Sequence, residues 1–193
     1  MLNSALLDAD CLHKLYLRGL LIWLASYRLY RPRWTAEILD ETIRSIVRRF
    51  PSDQVKIDSH IRSMAARFPE AEIVGYQHLV GTLDCLDPED EHVLAAAIVG
   101  RVGSLVTFNL KDFPNDTQKL YGFEVTHPDD FLMNLADRNP EVFLDATSKW
   151  CAGYQSPALS AQDLSRAMRQ LGCPNFAKYL LFEGEAILSR IED

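Results

Sequence analysis

Four cysteines are all that 193 residues contain, and Cys11, Cys85, Cys151 and Cys173 stand far apart with no Cys-x-x-Cys pair among them. That spacing excludes the common zinc motifs and is read as free core thiols of a reducing compartment. A long apolar run is missing too. The most apolar stretch, Leu20 to Ala25, is far shorter than a membrane span, and no basic segment followed by an apolar one opens the chain. The expectation is a soluble, cytoplasmic protein without a membrane partner. Positive charge is in deficit: 20 Lys and Arg stand against 27 Asp and Glu, a net −7, which argues against coating nucleic acid through a global field. No repeat or low-complexity tract appears. What is plentiful is apolar side chain, 48% of the residues, enough for a buried core without staples.

Charge is placed unevenly. Arginine gathers early, at Arg28, Arg31, Arg33, Arg44, Arg48, Arg49, Arg62 and Arg67, whereas acids dominate residues 84 to 91. A basic rim beside an acidic site fits that distribution. Arg28, Arg31 and Arg33 interleave with Tyr27, Tyr30 and Trp34, a pattern that grips phosphates and stacks unpaired bases. Its ordinary alternative is a solvated loop.

The opening Ser4-Ala-Leu-Leu-Asp8 reads as a short buried strand, after which Asp10 caps a helix expected to run to about Tyr27. Beyond Arg31-Pro32-Arg33 a second helix is capped by Thr35 and turns Ile38, Leu39, Ile43, Ile46 and Val47 inward. A third begins near Ser52 or Asp53, and Ile73 and Val74 read as a strand end. Asp87-Pro88-Glu89-Asp90 is a helix start, with a capping residue, proline at the first position and acids in the first turn. The helix Val93 to Val102 is expected to stop at Gly103, before an apolar strand over 104–108 and a weaker one over 123–125. This alternation implies a parallel sheet covered on both faces. From His127 onward the pattern is helical only: 129–136, 140–150, 160–171 and 174–191. The division expected is therefore 1–127 for an α/β domain and 128–193 for an all-helical C-terminal extension.

Function in such sheets collects where strands end at their carboxyl edge. Asp8 ends the first strand and Asp112 follows the Val106 strand, so both face that edge. Asp90 opens the helix before that strand, and Glu41 lies about two turns into the helix after Thr35; packing can deliver both. Taken singly, each acid has an ordinary role as a strand end, a cap or a solvated face. Together they cannot all stay ionised, since two unit charges at about 4 Å repel by about 4 kcal/mol even at an effective dielectric of 20. They share protons or bind a cation. An all-oxygen set suits Mg²⁺ or Mn²⁺, and the chemistry such ions serve is phosphodiester hydrolysis.

Four segments, Leu6-Leu-Asp-Ala-Asp-Cys-Leu12, Trp34-Thr-Ala-Glu-Ile-Leu-Asp-Glu41, residues 87–97 and Leu105-Val-Thr-Phe-Asn-Leu-Lys-Asp-Phe113, occur in the order of the acidic motifs of a PIN domain, and the first two-thirds of the chain resembles that family. The resemblance implies a three-layer α/β/α fold and a metal-dependent endoribonuclease, often a VapC-like toxin of a toxin–antitoxin pair. Carried over by position, the catalytic and metal-holding acids are Asp8, Glu41, Asp90 and Asp112. Many PIN domains carry an acid where Asn109 stands, so either Asp112 or Asn109 completes the site. Asp10 stands where the family often has Asn, and with Thr107 and Asn109 it falls beside the ligands. His92, two positions after Asp90, is expected to project from another side of its helix and to be structural. The resemblance also implies an RNA substrate, a homodimer and a cognate antitoxin.

Two rivals remain. Asp8-Ala-Asp10 also resembles the opening of haloacid-dehalogenase-type phosphatases, with Asp8 as nucleophile, Val106-Thr107 as a second motif and Asp129-Asp130 as an acidic pair. That match leaves Glu41 and residues 87–97 without roles. A PIN-like scaffold whose catalysis has decayed into partner binding is the other.

Overall fold

The computed structural model describes residues 3–83, 85–113, 115–154 and 159–183. In chain order its elements are β1 (Ser4–Leu7), α1 (Ala9–Leu12), α2 (Leu15–Ser26), β2 (Arg31–Arg33), α3 (Ala36–Arg49), α4 (Gln54–Ala66) and α5 (Glu91–Val99). Then come β3 (Ser104–Val106), α6 (Asn115–Tyr121), β4 (Glu124–Thr126), α7 (Pro128–Arg138), α8 (Pro140–Ala152), α9 (Ala161–Gln170) and α10 (Pro174–Phe182). Two compact units emerge, one of residues 1–13 and 31–127, the other of 14–30 and 128–193.

The first unit is built on a wholly parallel sheet in the order β2-β1-β3-β4. Its central strands are the apolar runs: Ala5, Leu6, Leu7, Leu105 and Val106 are fully buried, as parallel strands covered by helices must be. The mixed α/β architecture with its helical C-terminal part is that of a PIN-like α/β/α fold. Strand order reverses at β1, which makes the carboxyl edge of β1 and β3 a switch point where the chain leaves the sheet on both sides.

Several local expectations are revised. Arg31-Pro32-Arg33 forms β2, with Arg31, Pro32 and Arg33 in register with Ser4, Ala5 and Leu6. Proline and arginine carry little strand signal, but an edge strand tolerates a residue that cannot donate to the ladder. The first helix is two: Asp8, not Asp10, is the cap of α1, and Lys14 in extended backbone separates α1 from α2. In place of a strand end at Ile73 and Val74 there is a single parallel bridge between Trp34 and Glu72. Helix α5 ends at Val99 rather than Val102. There a Cβ at Gly100 would fall 2.9 Å from the Ala96 carbonyl oxygen, and Arg101 turns the chain with φ +46°. On α3, capped by the Thr35 side chain, Ile38 and Leu39 are buried whereas Ile43, Ile46 and Val47 are only half-buried.

In the second unit α2 packs on α8 and α9, and α7 on α8 and α10. The Trp23 indole donates to the Ala146 carbonyl (2.8 Å), and Phe143, fully buried, meets Phe176 and Tyr179 edge-on at 5.9 Å. The expected last helix is described over Pro174–Phe182; its continuation to residue 191 lies outside the described residues. No described helix is long and apolar enough to cross a membrane. All four cysteines are free thiols.

Candidate metal centre

The edge at which β1 and β3 end holds a network of short polar contacts. Asp8 follows the last residue of β1, is 6% exposed, and its Oδ1 accepts from the Ala9 N–H at 2.6 Å, which starts α1. Its own N–H donates to the Val106 carbonyl, tying the carboxylate to the end of β3. Thr107, fully buried one residue beyond β3, sets its Oγ1 2.7 Å from Asp8 Oδ2 and 2.9 Å from Asp10 Oδ2. Asp10 Oδ2 accepts from the Phe108 N–H (2.8 Å), and Thr107 Oγ1 accepts from the Asn109 N–H (3.0 Å).

A hydroxyl has one proton and two lone pairs, so Thr107 cannot donate fully to two carboxylates. Its one proton is therefore divided between Asp8 and Asp10, while its oxygen accepts from the Asn109 N–H. Burial, then the charge of Asp10, push the Asp8 carboxyl up to about 7, against the hydrogen bond from Thr107. Near neutral pH Asp8 is poised between holding a proton and exchanging it for a cation.

Asn109 extends the network. Its Nδ2 donates to Asp90 Oδ2 at 3.0 Å, across 19 residues of sequence. Asp90 is half-buried at the end of the 3-10 turn Pro88–Asp90, which Asp87 caps by accepting from the Glu89 N–H. Burial, then the charges of Asp87 and Asp112, raise the Asp90 pKa, and the Asn109 amide opposes them. One carboxylate oxygen from each of Asp87, Asp90 and Asp112 lies within 4.8 Å of the others. Asn109 and Asp112 therefore both stand at Asp90, one as a neutral donor and the other as a neighbouring charge.

Glu41 is placed differently. It pairs with the imidazole of His92, Oε1 to Nε2 at 3.3 Å, while Glu37, one turn earlier on α3, faces Nδ1 at 3.6 Å. Burial acts to lower the His92 pKa, but Glu41, with Glu37 and Asp8, outweighs it and raises it. His92 was expected to point elsewhere; instead its field reaches both Asp8 and Asp90. Glu37 was not singled out in the sequence, and Asp87 was read there only as a helix cap, not as a neighbour of Asp90. The i, i+4 spacing of Glu37 and Glu41 was a visible sign of a shared helix face, but nothing local foretold that α5 would set His92 against it.

The arginines are dispersed. Arg31 begins β2, at the amino end of the sheet and opposite the edge that carries Asp8 and Thr107. Arg33 donates from Nε to the Ala71 carbonyl at 3.2 Å, and burial, eased by the charge of Glu70, lowers its pKa. Arg28 follows α2 in the second unit with φ +58°.

The network makes the role of Asn109 measurable. Replacing Asn109 by Ala removes the donor that steadies the Asp90 carboxylate, and Mn²⁺ affinity is expected to fall by about tenfold to a hundredfold. Calorimetric titration of the metal-stripped variant checks this; unchanged affinity would leave Asn109 no part in orienting Asp90.

A parallel α/β sheet with carboxylates from β1, the 87–90 turn and the 110–112 turn gathered at its switch point defines a class of acidic-centre proteins. The donor set fits a hard divalent cation. Asp87, Asp90 and Asp112 offer carboxylate oxygens within reach of one ion, and Asp8 is a buried carboxyl whose charge a cation would stabilise. Comparison narrows the class. Residues 128–181 match the family model described as the VapC50 C-terminal domain. The protein named "Putative ribonuclease VapC50" of Mycobacterium tuberculosis is 35% identical over 103 residues, which are 53% of this chain and 60% of that protein. This chain thus spans less than two-thirds of that relative's length. No solved structure matches it. The C-terminal residues thus resemble that domain, and a 103-residue stretch of the chain resembles that relative.

Proposed function

We propose that this protein is a metal-dependent endoribonuclease and the toxin of a type II toxin–antitoxin pair, acting on RNA in the cytoplasm. One observation carries the proposal: carboxylates far apart in sequence meet at one sheet edge, where Thr107 contacts Asp8 and Asp10 and Asn109 holds Asp90. Asp8, Asp90 and Asp112 would hold one or two Mg²⁺ or Mn²⁺ ions, with Asp10, Thr107 and Asn109 orienting them and Glu41 contributing from α3. When bound, such an ion neutralises phosphate charge and lowers the pKa of water. Water adds to phosphorus in line and the 3′-oxygen departs with a proton, leaving a 5′-phosphate and a 3′-hydroxyl. Asp8 gives up its proton on loading, and Thr107 and Asn109 keep the carboxylates from rotating away. A homodimer and a cognate antitoxin belong to the same reading.

The phosphatase alternative loses a part, because both oxygens of Asp129 are engaged with backbone N–H groups of α10. Incubation of the full chain with mixed-sequence RNA and Mn²⁺ is expected to give internal cleavage with 5′-phosphate ends, abolished by EDTA and restored by added metal. Cleavage undiminished in EDTA, or a phosphate trapped covalently on Asp8, would overturn the proposal. A decayed scaffold would show neither cleavage nor Mn²⁺ binding.

A further inference from the structure

Phe108 and His127 form an aromatic corner on the sheet edge that carries the acids. Val106, which ends β3, is in register with Thr126, which ends β4, and the Thr107 N–H donates to the Thr126 carbonyl. Phe108 and His127 therefore leave neighbouring strands at the same carboxyl edge. Their ring centroids are 4.9 Å apart and their planes meet at 88°, an edge-to-face contact that holds each ring against the other.

The backbone of Phe108 is tied into the polar network while its ring adds nothing to it. Its N–H donates to Asp10 Oδ2 at 2.8 Å; before it stands Thr107, which touches Asp8 and Asp10, and after it Asn109, which holds Asp90. A base joined to a phosphate at those acids is thereby brought to the ring. Burial sets Phe108 apart from the aromatics that flank it along the chain. Phe113 and Phe123 lie in the core, whereas Phe108 and His127 are only half-buried. A ring left partly in water gives up part of the stabilisation that full burial brings, but it offers what single-stranded RNA is recognised by, a flat apolar face for an unpaired base. The stacking role expected of Tyr30 and Trp34 is closed to them, since each is 1% exposed.

We infer that Phe108, braced by His127, is the stacking platform for one unpaired base of single-stranded RNA, next to the phosphodiester that the acids would hold. The inference rests on the nuclease reading and adds to it the place of a base. Every base has a flat face, so the platform tolerates sequence and selects unpaired RNA over duplex.

Photocrosslinking tests it. Single-stranded RNA of mixed sequence carrying 5-iodouridine is irradiated with the Mn²⁺-loaded full chain, because iodinated uracil joins preferentially to an aromatic ring stacked on it, and the adduct is mapped by mass spectrometry. The wild type is expected to carry the adduct on Phe108. Phe108→Leu, which keeps apolar volume without a ring, is expected to lose it and to bind the RNA about tenfold more weakly, and Phe108→Tyr to retain both. Mn²⁺ affinity of the Leu variant should match that of the wild type, since the N–H that holds Asp10 belongs to the backbone. Adducts that all map elsewhere, undiminished RNA affinity in Phe108→Leu, or a parallel loss of Mn²⁺ affinity in that variant would overturn the inference. An adduct on Phe108 without cleavage counts against the nuclease proposal alone, and cleavage without that adduct against this inference alone.

Discussion

Replacing Asp8 by Asn is expected to cut metal-dependent RNA cleavage by about a hundredfold or more, while making the metal-free protein more stable at pH 8. The first effect follows from the loss of an anionic ligand, which exceeds the ten- to hundredfold typical of outer partners by removing what those partners orient. The second follows from burial. The Asp8 carboxyl is 6% exposed and titrates near 7 rather than its ordinary 3.8, so between those values the folded chain holds a proton that the unfolded chain has released. Where the native state binds more protons, stability falls as pH rises. In chelator, the wild type should therefore lose stability from about pH 4 to pH 7 and stay low above that.

The gap corresponds to roughly 4 kcal/mol, an upper bound because Asp10 and Asp90 share in the repulsion. Asn carries no charge at any pH, so the variant's profile is flatter. Its stability should approach that of the wild type near pH 4 and exceed it by a few kcal/mol at pH 8. Urea unfolding in EDTA across that range is the measurement. A variant no more stable than the wild type at pH 8 would mean that Asp8 is not held under electrostatic strain. Added Mn²⁺ should then favour the wild type, because only it gains a ligand for its charge.

Asp129→Ala is expected to cost about 3 kcal/mol, and to spend it on the C-terminal helices. Helix α10 begins at Pro174, which has no N–H, and Cys173 before it supplies no capping bond. The next two donors, Asn175 N–H and Phe176 N–H, both go to Asp129 at 3.0 and 2.7 Å, from the second residue of α7. A buried carboxylate thus acts as the cap that the local sequence lacks, with the favourable sign for a helix N-terminus. Alanine leaves both donors, the buried Phe176 N–H among them, without that acceptor. Hydrogen exchange should show faster opening of α10 and α9, which pack on each other, with Asp129→Asn losing less because one acceptor remains. Uniform protection in Asp129→Ala would show that packing alone holds α10.

How far the chain could be read in advance depends on the range of the forces involved. The runs Ala5-Leu6-Leu7 and Leu105-Val106 announced buried strands, Thr35 announced α3, and Asp87-Pro88 announced the turn into α5. All are local patterns of burial or capping. Asp8, Thr107 and Asn109 were legible as edge residues because a residue that ends a parallel strand must face the carboxyl side. Strand β2 was not, since Arg-Pro-Arg lacks the apolar signature and is held only by register with β1. The break at Lys14 was hidden by an apolar periodicity that runs on through both helices. Asp10 looked like a cap because its alternative partners, Thr107 and the Phe108 N–H, lie nearly a hundred residues away.

By itself the sequence determined the alternation of strand and helix and the acids available to the sheet edge, because hydrophobic period, capping and turn chemistry act over a few residues. Tertiary structure alone decided which acids meet through Thr107 and Asn109, that Glu41 pairs with His92, and that Asp129 caps a helix 46 residues away. Those outcomes turn on distances of 3 to 4 Å between side chains from separate elements, where a small change in helix placement exchanges one partner for another.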